Sequence, residues 1–257
     1  MESQFGVMIS ESEPLFSGAM KLVNECDNNL IQAGVVSIED IKRGIVDLGS
    51  LPLCLYPLSN SDYLSTLIPL LMRRNHQIIN AIYYQQRFDK ISMQICLRSI
   101  GIRVPEFYPM NRISKIKSLM DAGIQILAKP NGHLGRQEII SRGDNLTRFQ
   151  DSITIRGEYY AERFIHAEAE YKLYVVGEKV FFNNSKLDMR THEIVQLAKG
   201  ISMVSKLEVF SADVLEEINT HHLFVIDVNP ASAFYLHAIA RTEFIQYIKN
   251  QIITTHP

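Results

Sequence analysis

Short apolar segments of strand type alternate along this chain with segments of helical type, and this order predicts a mixed α/β (α+β) fold. The two residues Gly177-Glu178 connect two strand-like segments, which predicts a hairpin in the second half of the chain. Strands are predicted at residues 5–9, 51–58, 77–80, 104–109, 124–129, 158–165, 171–176, 179–183, 207–213 and 223–229. Helices are predicted at 37–48, 89–100, 114–122, 192–206 and 239–252.

The overall charge and the apolar runs exclude several classes of partner. The 26 basic and 28 acidic side chains give a net charge of −2, which argues against a nucleic-acid partner. The most apolar run, 64–72, is too short for a membrane span and contains Pro69. The first residues lack the basic and apolar regions of a signal peptide. The widely spaced Cys26, Cys54 and Cys96 favour free thiols, so we expect a cytoplasmic protein without a membrane segment.

Charge is unevenly distributed along the first half of the chain. Residues 1–72 contain three basic and nine acidic side chains, whereas residues 73–129 contain ten basic and three acidic ones. A local positive excess suits a surface that receives an anion. A solvated helix face explains most of these residues equally well, and we single out only Lys90 and Lys129.

The segment that follows the predicted strand at 124–129 has the composition of a phosphate-binding loop. Lys129 ends the strand, and the loop contains Gly132 and Gly135. Glycine allows backbone N–H groups to approach a polyphosphate closely, and a lysine ammonium neutralises phosphate charge. The spacing differs from a Walker A loop, and an ordinary hairpin with a lysine at its edge is the alternative.

Two strand ends near the carboxyl terminus provide oxygen ligands for a metal. Asp227 and Asn229 project to one face of the predicted strand at 223–229, because strand side chains alternate with period two. If the preceding strand pairs with it as a hairpin, Asp213 lies beside Asp227. Carboxylate and amide oxygens suit Mg²⁺. The alternative is that Asp and Asn stand at these strand ends only because they form turns.

Two further segments are informative only when their order along the chain is considered together with the other motifs. Glu162 lies in a predicted strand whose edge offers backbone hydrogen bonds and a carboxylate to a nucleotide base. Lys90 follows Asp89 at the start of a predicted helix. Taken singly, a surface strand and a solvated lysine are the simpler interpretations.

In combination, these motifs resemble the ATP-grasp superfamily over about residues 76–236. The matching stretches are a strand-end Asn80, the Asp89-Lys90 pair, the segment "ILAKPNGHLG", the segment "YYAERFIHAEAEYKLYVV" and the final "FVIDVNP". The resemblance implies a short amino-terminal domain at 1–78 and an ATP-grasp domain at 79–257. The ATP-grasp domain would have one lobe at 79–158 and another at 159–257, with ATP held between the two lobes.

The resemblance also implies site residues. Lys90 and Lys129, with the Gly132 and Gly135 loop, would bind the nucleotide phosphates. The adenine would bind Glu162 and the backbone near Phe164, and the ribose would bind Glu170 or, less well, Glu168. Two departures from the family pattern are Gln137, where glycine is common, and Lys172, where arginine is common.

The implied metal and catalytic groups follow along the chain. Mg²⁺ would be held by Asp213, Asp227 and Asn229. Lys186, with Arg190 nearby, would steady the transferring phosphoryl group.

The function implied by the resemblance is an ATP- and Mg²⁺-dependent ligase that joins a carboxylate to an amine through an acylphosphate. Its partners would be small-molecule or peptide substrates, and a homodimer is left open. Three alternatives remain: a small-molecule kinase on the same fold, a nucleotide-binding protein without turnover, and an α/β domain whose motifs match by chance.

Overall fold

The computed structural model describes residues 4–10, 13–48, 53–59, 62–86, 88–109, 112–131, 137–140, 159–182, 190–231 and 237–255. This part of the chain contains both helices and strands, arranged in three four-stranded sheets. The mixed α/β fold predicted from the sequence is therefore confirmed.

The elements follow one another in the order of the chain. The strands are β1 (Gln4–Ile9), β2 (Gln32–Ser37), β3 (Cys54–Leu58), β4 (Gln77–Ile78), β5 (Phe107–Pro109), β6 (Ile126–Pro130), β7 (Glu138–Ile140), β8 (Tyr159–Arg163), β9 (Ala167–Val176), β10 (Lys179–Phe182), β11 (Val209–Glu217) and β12 (Leu223–Asn229). The helices are α1 (Glu13–Asn28), α2 (Ile38–Lys42), α3 (Leu64–Arg73), α4 (Ala81–Gln86), α5 (Lys90–Ser99), α6 (Ile113–Asp121), α7 (Thr191–Ser205) and α8 (Ala238–Thr255).

The chain forms two compact units, both discontinuous in sequence. The first unit comprises Met1–Phe88, Lys172–Ala212 and Asn229–Pro257, and the second unit comprises Asp89–Tyr171 and Asp213–Val228. Three of the four unit boundaries fall inside β9, β11 and β12, and the fourth lies between α4 and α5. The domain limits expected from the sequence, 1–78 and 79–257, stay a prediction.

The first unit contains a parallel sheet in the order β2-β1-β3-β4. Parallel neighbours require a crossover, and α1 supplies it between β1 and β2. The core of the unit includes Phe5 and Tyr56 from the sheet, whose rings lie 6.4 and 4.8 Å from the ring of Phe244 in α8. The central strands β1 and β3 are mostly apolar and buried, as expected for the interior of a parallel sheet.

The second unit contains an antiparallel sheet in the order β5-β8-β6-β7. Ile116 and Met120 of α6 pack on Ile126, Ala128 and Ala161 of this sheet. In the pairing of β6 with β8, Lys129 lies opposite Tyr160 and Leu127 lies opposite Glu162. Opposite residues share a face, so Lys129 and Glu162 are diagonal neighbours on the same face.

A third sheet has the order β10-β9-β11-β12. Its β9–β10 hairpin is antiparallel, and Gly177 in the turn has a φ of 58°. This confirms the predicted hairpin. The predicted neighbourhood of the strands that contain Asp213 and Asp227 is also observed, because β11 and β12 are adjacent.

Several elements differ from the sequence prediction. The helix expected over 37–48 ends at Lys42, although its predicted cap is present, since the Ser37 side chain accepts a hydrogen bond from the Asp40 N–H. Helix α3 was not predicted, yet Leu64, Leu67, Ile68 and Leu71 are buried at helical spacing. The internal proline obscured that pattern. Helices α1 and α4 and strands β2 and β7 were likewise not predicted.

Two further expectations concern the cysteines and the membrane. Cys26, Cys54 and Cys96 are free thiols, as predicted. Burial is the main cause that raises the pKa of both Cys26 and Cys54 to about 12. Within the described residues, no helix is sufficiently long and apolar to cross a membrane.

Asn80 is a buried polar side chain in the first unit that makes several hydrogen bonds to the backbone. It is fully buried and has a φ of 63°. Its Oδ1 accepts from the N–H groups of Glu208 and Val209, and its Nδ2 donates to the carbonyl oxygen of Val209 at 2.5 Å. One amide side chain thus holds the start of β11 against the loop that follows β4.

We expect Asn80→Ala to lower the free energy of unfolding by about 3 kcal/mol or more. Each buried backbone group left without a partner costs about 1–3 kcal/mol. Asn75→Ala is the matched control, because Asn75 has nearly the same φ, 61°, but is exposed. Denaturant unfolding of both variants measures the difference, and equal losses would show that the Asn80 hydrogen bonds contribute little.

Candidate active site

The second unit contains a cavity of about 250 Å³, just below the usual size of small-molecule sites, about 300–1,000 Å³. All of its lining residues belong to this one unit. They are Leu127, Lys129, Gln137, Glu162, Arg163, Phe164, Ile165, Glu170, Asp213, Leu215, Ile226 and Asp227. Six of the residues predicted from the sequence therefore lie around one cavity: Lys129, Glu162, Phe164, Glu170, Asp213 and Asp227.

A buried ion pair forms the wall of this cavity. Lys129 Nζ lies 3.0 Å from Glu162 Oε1, and both side chains are 2% exposed. The same ammonium donates to the carbonyl oxygen of Ile226 at 3.0 Å. An ammonium has three donors, and these two bonds leave one N–H for a ligand in the cavity.

Gln94 completes the surroundings of the Glu162 carboxylate. Its Nε2 donates to Glu162 Oε2 at 2.9 Å and lies 3.3 Å from the Tyr160 hydroxyl. Burial raises the pKa of Tyr160 well above its usual value, and the nearby carboxylates of Glu162 and Asp227 raise it further. The phenol therefore stays protonated and can donate to Glu162.

The Oε1 atom of Gln94 is buried and has no hydrogen-bond partner within the described part of the chain. A buried acceptor without a partner costs about 1–3 kcal/mol. Gln94 was not among the site residues predicted from the sequence. Its position four residues after Lys90 places both on one side of α5, but this spacing alone does not distinguish it from a core residue.

Lys90 contacts the predicted metal-ligating region of the same unit. Its Nζ lies 3.3 Å from Asp227 Oδ1, and the two side chains are 14% and 28% exposed. This contact was not predicted from the sequence. The ion pair is only partly shielded from solvent.

The start of α5 is tied to the start of the glycine-containing loop. Asp89 caps the helix by accepting from the Ser92 N–H at 2.6 Å, and its other oxygen accepts from Asn131 Nδ2 at 2.9 Å. Asn131 in turn accepts from the N–H groups of Lys90 and Ile91. These bonds fix the backbone of Lys90 relative to the end of β6.

The strand that contains Glu162 continues into the segment predicted to contact a base. The Phe164 N–H donates to the carbonyl oxygen of Gln125 at 3.0 Å, so this donor is already used within the protein. Arg163 lines the cavity and pairs with Glu217 at 2.9 Å. A hydrogen bond from Thr220, together with Arg163, lowers the pKa of Glu217, which keeps that carboxylate ionised.

The remaining predicted residues lie elsewhere. Asn229 belongs to the first unit, where its Oδ1 accepts from the Ala231 N–H at 3.0 Å. Arg190 also belongs to the first unit and lies 3.2 Å from Glu193. Gly132, Gly135 and Lys186 lie outside the described residues. The roles predicted for all of these residues stay predictions.

The donors present in the second unit are chemically suited to Mg²⁺. Asp213 and Asp227 both line the cavity, and carboxylate oxygens are the ligands that Mg²⁺ prefers. The Lys90 ammonium already neutralises part of the Asp227 charge. A dication at these carboxylates would therefore compete with Lys90.

The comparison with solved structures identifies the fold. No protein-family model matches the sequence, and no curated protein matches it. Among solved structures, the D-alanine–D-alanine ligase of Coxiella burnetii superposes with a TM-score of 0.76 at 14% identity, covering 99% of this chain and 96% of that one. The D-alanine–D-alanine ligase of Bacillus anthracis gives 0.73 at 15% identity, covering 98% and 97%.

A third similar structure is named as an ATP-grasp protein. The RimK domain ATP-grasp protein of Sphaerobacter thermophilus superposes with a TM-score of 0.74 at 13% identity, covering 96% of this chain and 100% of that one. The chain has the ATP-grasp fold, as the motifs predicted.

We expect the Lys129–Glu162 pair to show strong energetic coupling. Lys129→Met or Glu162→Gln alone leaves a buried charge without its partner, which costs about 3–5 kcal/mol of unfolding free energy. The double variant should lose less than the sum of the single losses, by about 2 kcal/mol.

Denaturant unfolding of the four proteins measures this coupling. The exposed Lys42–Glu39 pair, with N–O distance 2.7 Å, is the control and should couple by less than about 1 kcal/mol. Additive losses at Lys129 and Glu162 would contradict the argument.

Proposed function

We propose that the protein is an ATP- and Mg²⁺-dependent ligase that joins a carboxylate to an amine through an acylphosphate. The observation that carries the proposal is one cavity, in a chain of ATP-grasp fold, that combines a buried lysine–glutamate pair with three further carboxylates. This combination suits a ligand that is both anionic and accompanied by a metal ion.

Lys129 would bind the nucleotide phosphates with the N–H that its two internal bonds leave available. Lys90 would bind them from the start of α5, exchanging Asp227 for phosphate oxygen. Gly132 and Gly135 would supply backbone N–H groups to the same phosphates.

The base and the ribose would lie along β8 and the segment that follows it. Lys129 and Gln94 each donate to one Glu162 oxygen, and the Tyr160 hydroxyl can donate as well. A carboxylate has about four lone-pair sites, so the adenine amine can still donate to it. Because the Phe164 N–H is engaged by Gln125, the base would use other backbone groups near Phe164, such as those of Ile165. Glu170 would accept from the ribose hydroxyls.

Asp213, Asp227 and Asn229 would hold Mg²⁺, which when bound neutralises charge on the phosphate oxygens. Lys186 and Arg190 would contribute positive charge near the transferring group. These two roles rest on the order of residues along the chain.

In the proposed reaction, a substrate carboxylate oxygen attacks the γ-phosphorus of ATP, and ADP leaves. The lysines stabilise the negative charge that develops on the phosphate oxygens. The amine then attacks the acyl carbon, inorganic phosphate leaves with the bonding electrons, and the amine gives up a proton. Shielding from water is essential, because an acylphosphate hydrolyses readily.

The class of substrate is suggested by the names of similar structures. Two of these proteins are D-alanine–D-alanine ligases, and another, the ATP-grasp ligase PsnB, was solved with a minimal precursor, Mg and ADP and is 11% identical to this chain. A small-molecule or peptide carboxylate and an amine are therefore the proposed substrates here.

The proposal is tested by following the γ-phosphate of labelled ATP. We expect free labelled phosphate only when a carboxylate and an amine are both present, with an amide as the second product. Label retained on an organic product would instead identify a kinase. Binding of Mg²⁺-ATP, seen as a higher melting temperature, without turnover of a broad substrate panel would indicate a nucleotide-binding protein.

We expect Asp227→Asn to lower the rate of ATP turnover by about 100-fold or more, the scale of removing one electrostatic stabiliser. The amide keeps the shape of the side chain but removes the charge that both Mg²⁺ and Lys90 require. Steady-state rates over a Mg²⁺ series measure the effect. Asp121→Asn, at an exposed carboxylate of α6, is the control, and similar rates in both variants would remove Asp227 from the site.

A further inference from the structure

A second cluster of potential metal ligands lies in the second unit, at residues that do not line the nucleotide cavity. It consists of Glu168 near the start of β9, Glu216 near the end of β11 and His221 in the turn before β12. One ligand atom from each residue lies within 4.8 Å of the other two. We call these three residues the His221 cluster.

The distances within the His221 cluster match those between ligands of one small metal ion. His221 Nδ1 lies 3.1 Å from Glu168 Oε2 and 3.2 Å from Glu216 Oε1. In a tetrahedral zinc site with bonds of about 2.0–2.2 Å, two ligand atoms are separated by about 3.3–3.5 Å. Adjustments of a few tenths of an ångström would therefore bring the two contacts of His221 to coordination distances, and all three ligand atoms lie within 4.8 Å of one another.

One hydrogen on His221 Nδ1 cannot serve both of its carboxylate contacts equally. The Nδ1 atom carries at most one hydrogen, so it cannot donate a linear hydrogen bond to two carboxylate oxygens at once. Two negative charges thus converge on a single nitrogen. A divalent cation placed among the three atoms would bind all of them and balance the charge of both carboxylates.

The surroundings hold the ligands in place. The Tyr171 hydroxyl, in a buried residue, donates to Glu216 Oε2 at 2.6 Å, which turns Oε1 of the same carboxylate towards His221. Outer hydrogen bonds of this kind orient metal ligands. The turn itself is fixed by the bond from the His221 N–H to the Glu217 carbonyl oxygen and by the bond from the Ile218 N–H to the His166 carbonyl oxygen.

We propose that Glu168, Glu216 and His221 form a zinc-binding site separate from the nucleotide cavity. One imidazole nitrogen with two carboxylate oxygens suits Zn²⁺, whereas Mg²⁺ and Ca²⁺ prefer sites made of oxygen alone. The side chains of His221 and Glu168 are 58% and 45% exposed, so the ion can enter from solvent and water can complete its coordination. The inference is independent of the proposed ligase activity.

Calorimetric titration of the chelator-treated full chain with zinc chloride tests the site. We expect one Zn²⁺ per chain, and at least a tenfold loss of affinity in both His221→Ala and Glu168→Gln. Tyr171→Phe should weaken binding by about 10-fold through the orientation of Glu216. Mg²⁺ at the same concentrations should not displace Zn²⁺.

Two controls separate this site from other donors of the chain. His222→Ala removes the neighbouring histidine of the same turn and should leave the affinity unchanged. Asp227→Asn removes a carboxylate of the nucleotide cavity and should also leave it unchanged. The inference is overturned if the wild-type chain takes up no Zn²⁺, or if His221→Ala binds it as tightly as the wild type does.

Discussion

The ion pair between Lys129 and Glu162 is the interaction on which the site depends. Both charges are withdrawn from water, and such burial is tolerated only when geometry and further hydrogen bonds offset the loss of hydration. The register of β6 against β8 supplies that geometry, because it places the two residues diagonally on one face. A slip of one residue would turn Glu162 away from Lys129, so the electrostatics of the cavity and the pairing of the sheet are specified together.

Acidic side chains outnumber basic ones in the described lining of the cavity. This lining contains the acids Glu162, Glu170, Asp213 and Asp227 and the bases Lys129 and Arg163, and Arg163 is paired with Glu217. A triphosphate entering such a lining without counterions would meet net repulsion. The Lys90 ammonium beside Asp227 relieves part of that repulsion before any ligand arrives, and a metal ion would have to take over this task.

The sequence predicted the strand that delivers Lys129, the helix that begins after Asp89 and the neighbouring strands of Asp213 and Asp227, because each follows from local periodicity and capping. It did not predict the contact of Lys90 with Asp227 or the bond of Gln94 to Glu162, since both join residues more than 60 positions apart in the chain. Helix α3 was missed for a local reason, as Pro69 interrupts a pattern whose buried spacing is otherwise helical. Six of the residues that line the cavity could thus be selected by type and order, whereas their mutual geometry required the folded chain.

Gln94 has a consequence for the evolution of this protein. Its amide nitrogen donates a hydrogen bond to Glu162. Its amide oxygen is buried without a donor in the described part of the chain, and this lowers the stability of the fold. Selection for heat resistance alone would favour a residue at this position that donates to Glu162 without enclosing an unpaired oxygen. Retention of glutamine in thermally stressed lineages would then record selection on the site itself, because durability and activity make opposite demands on this one amide.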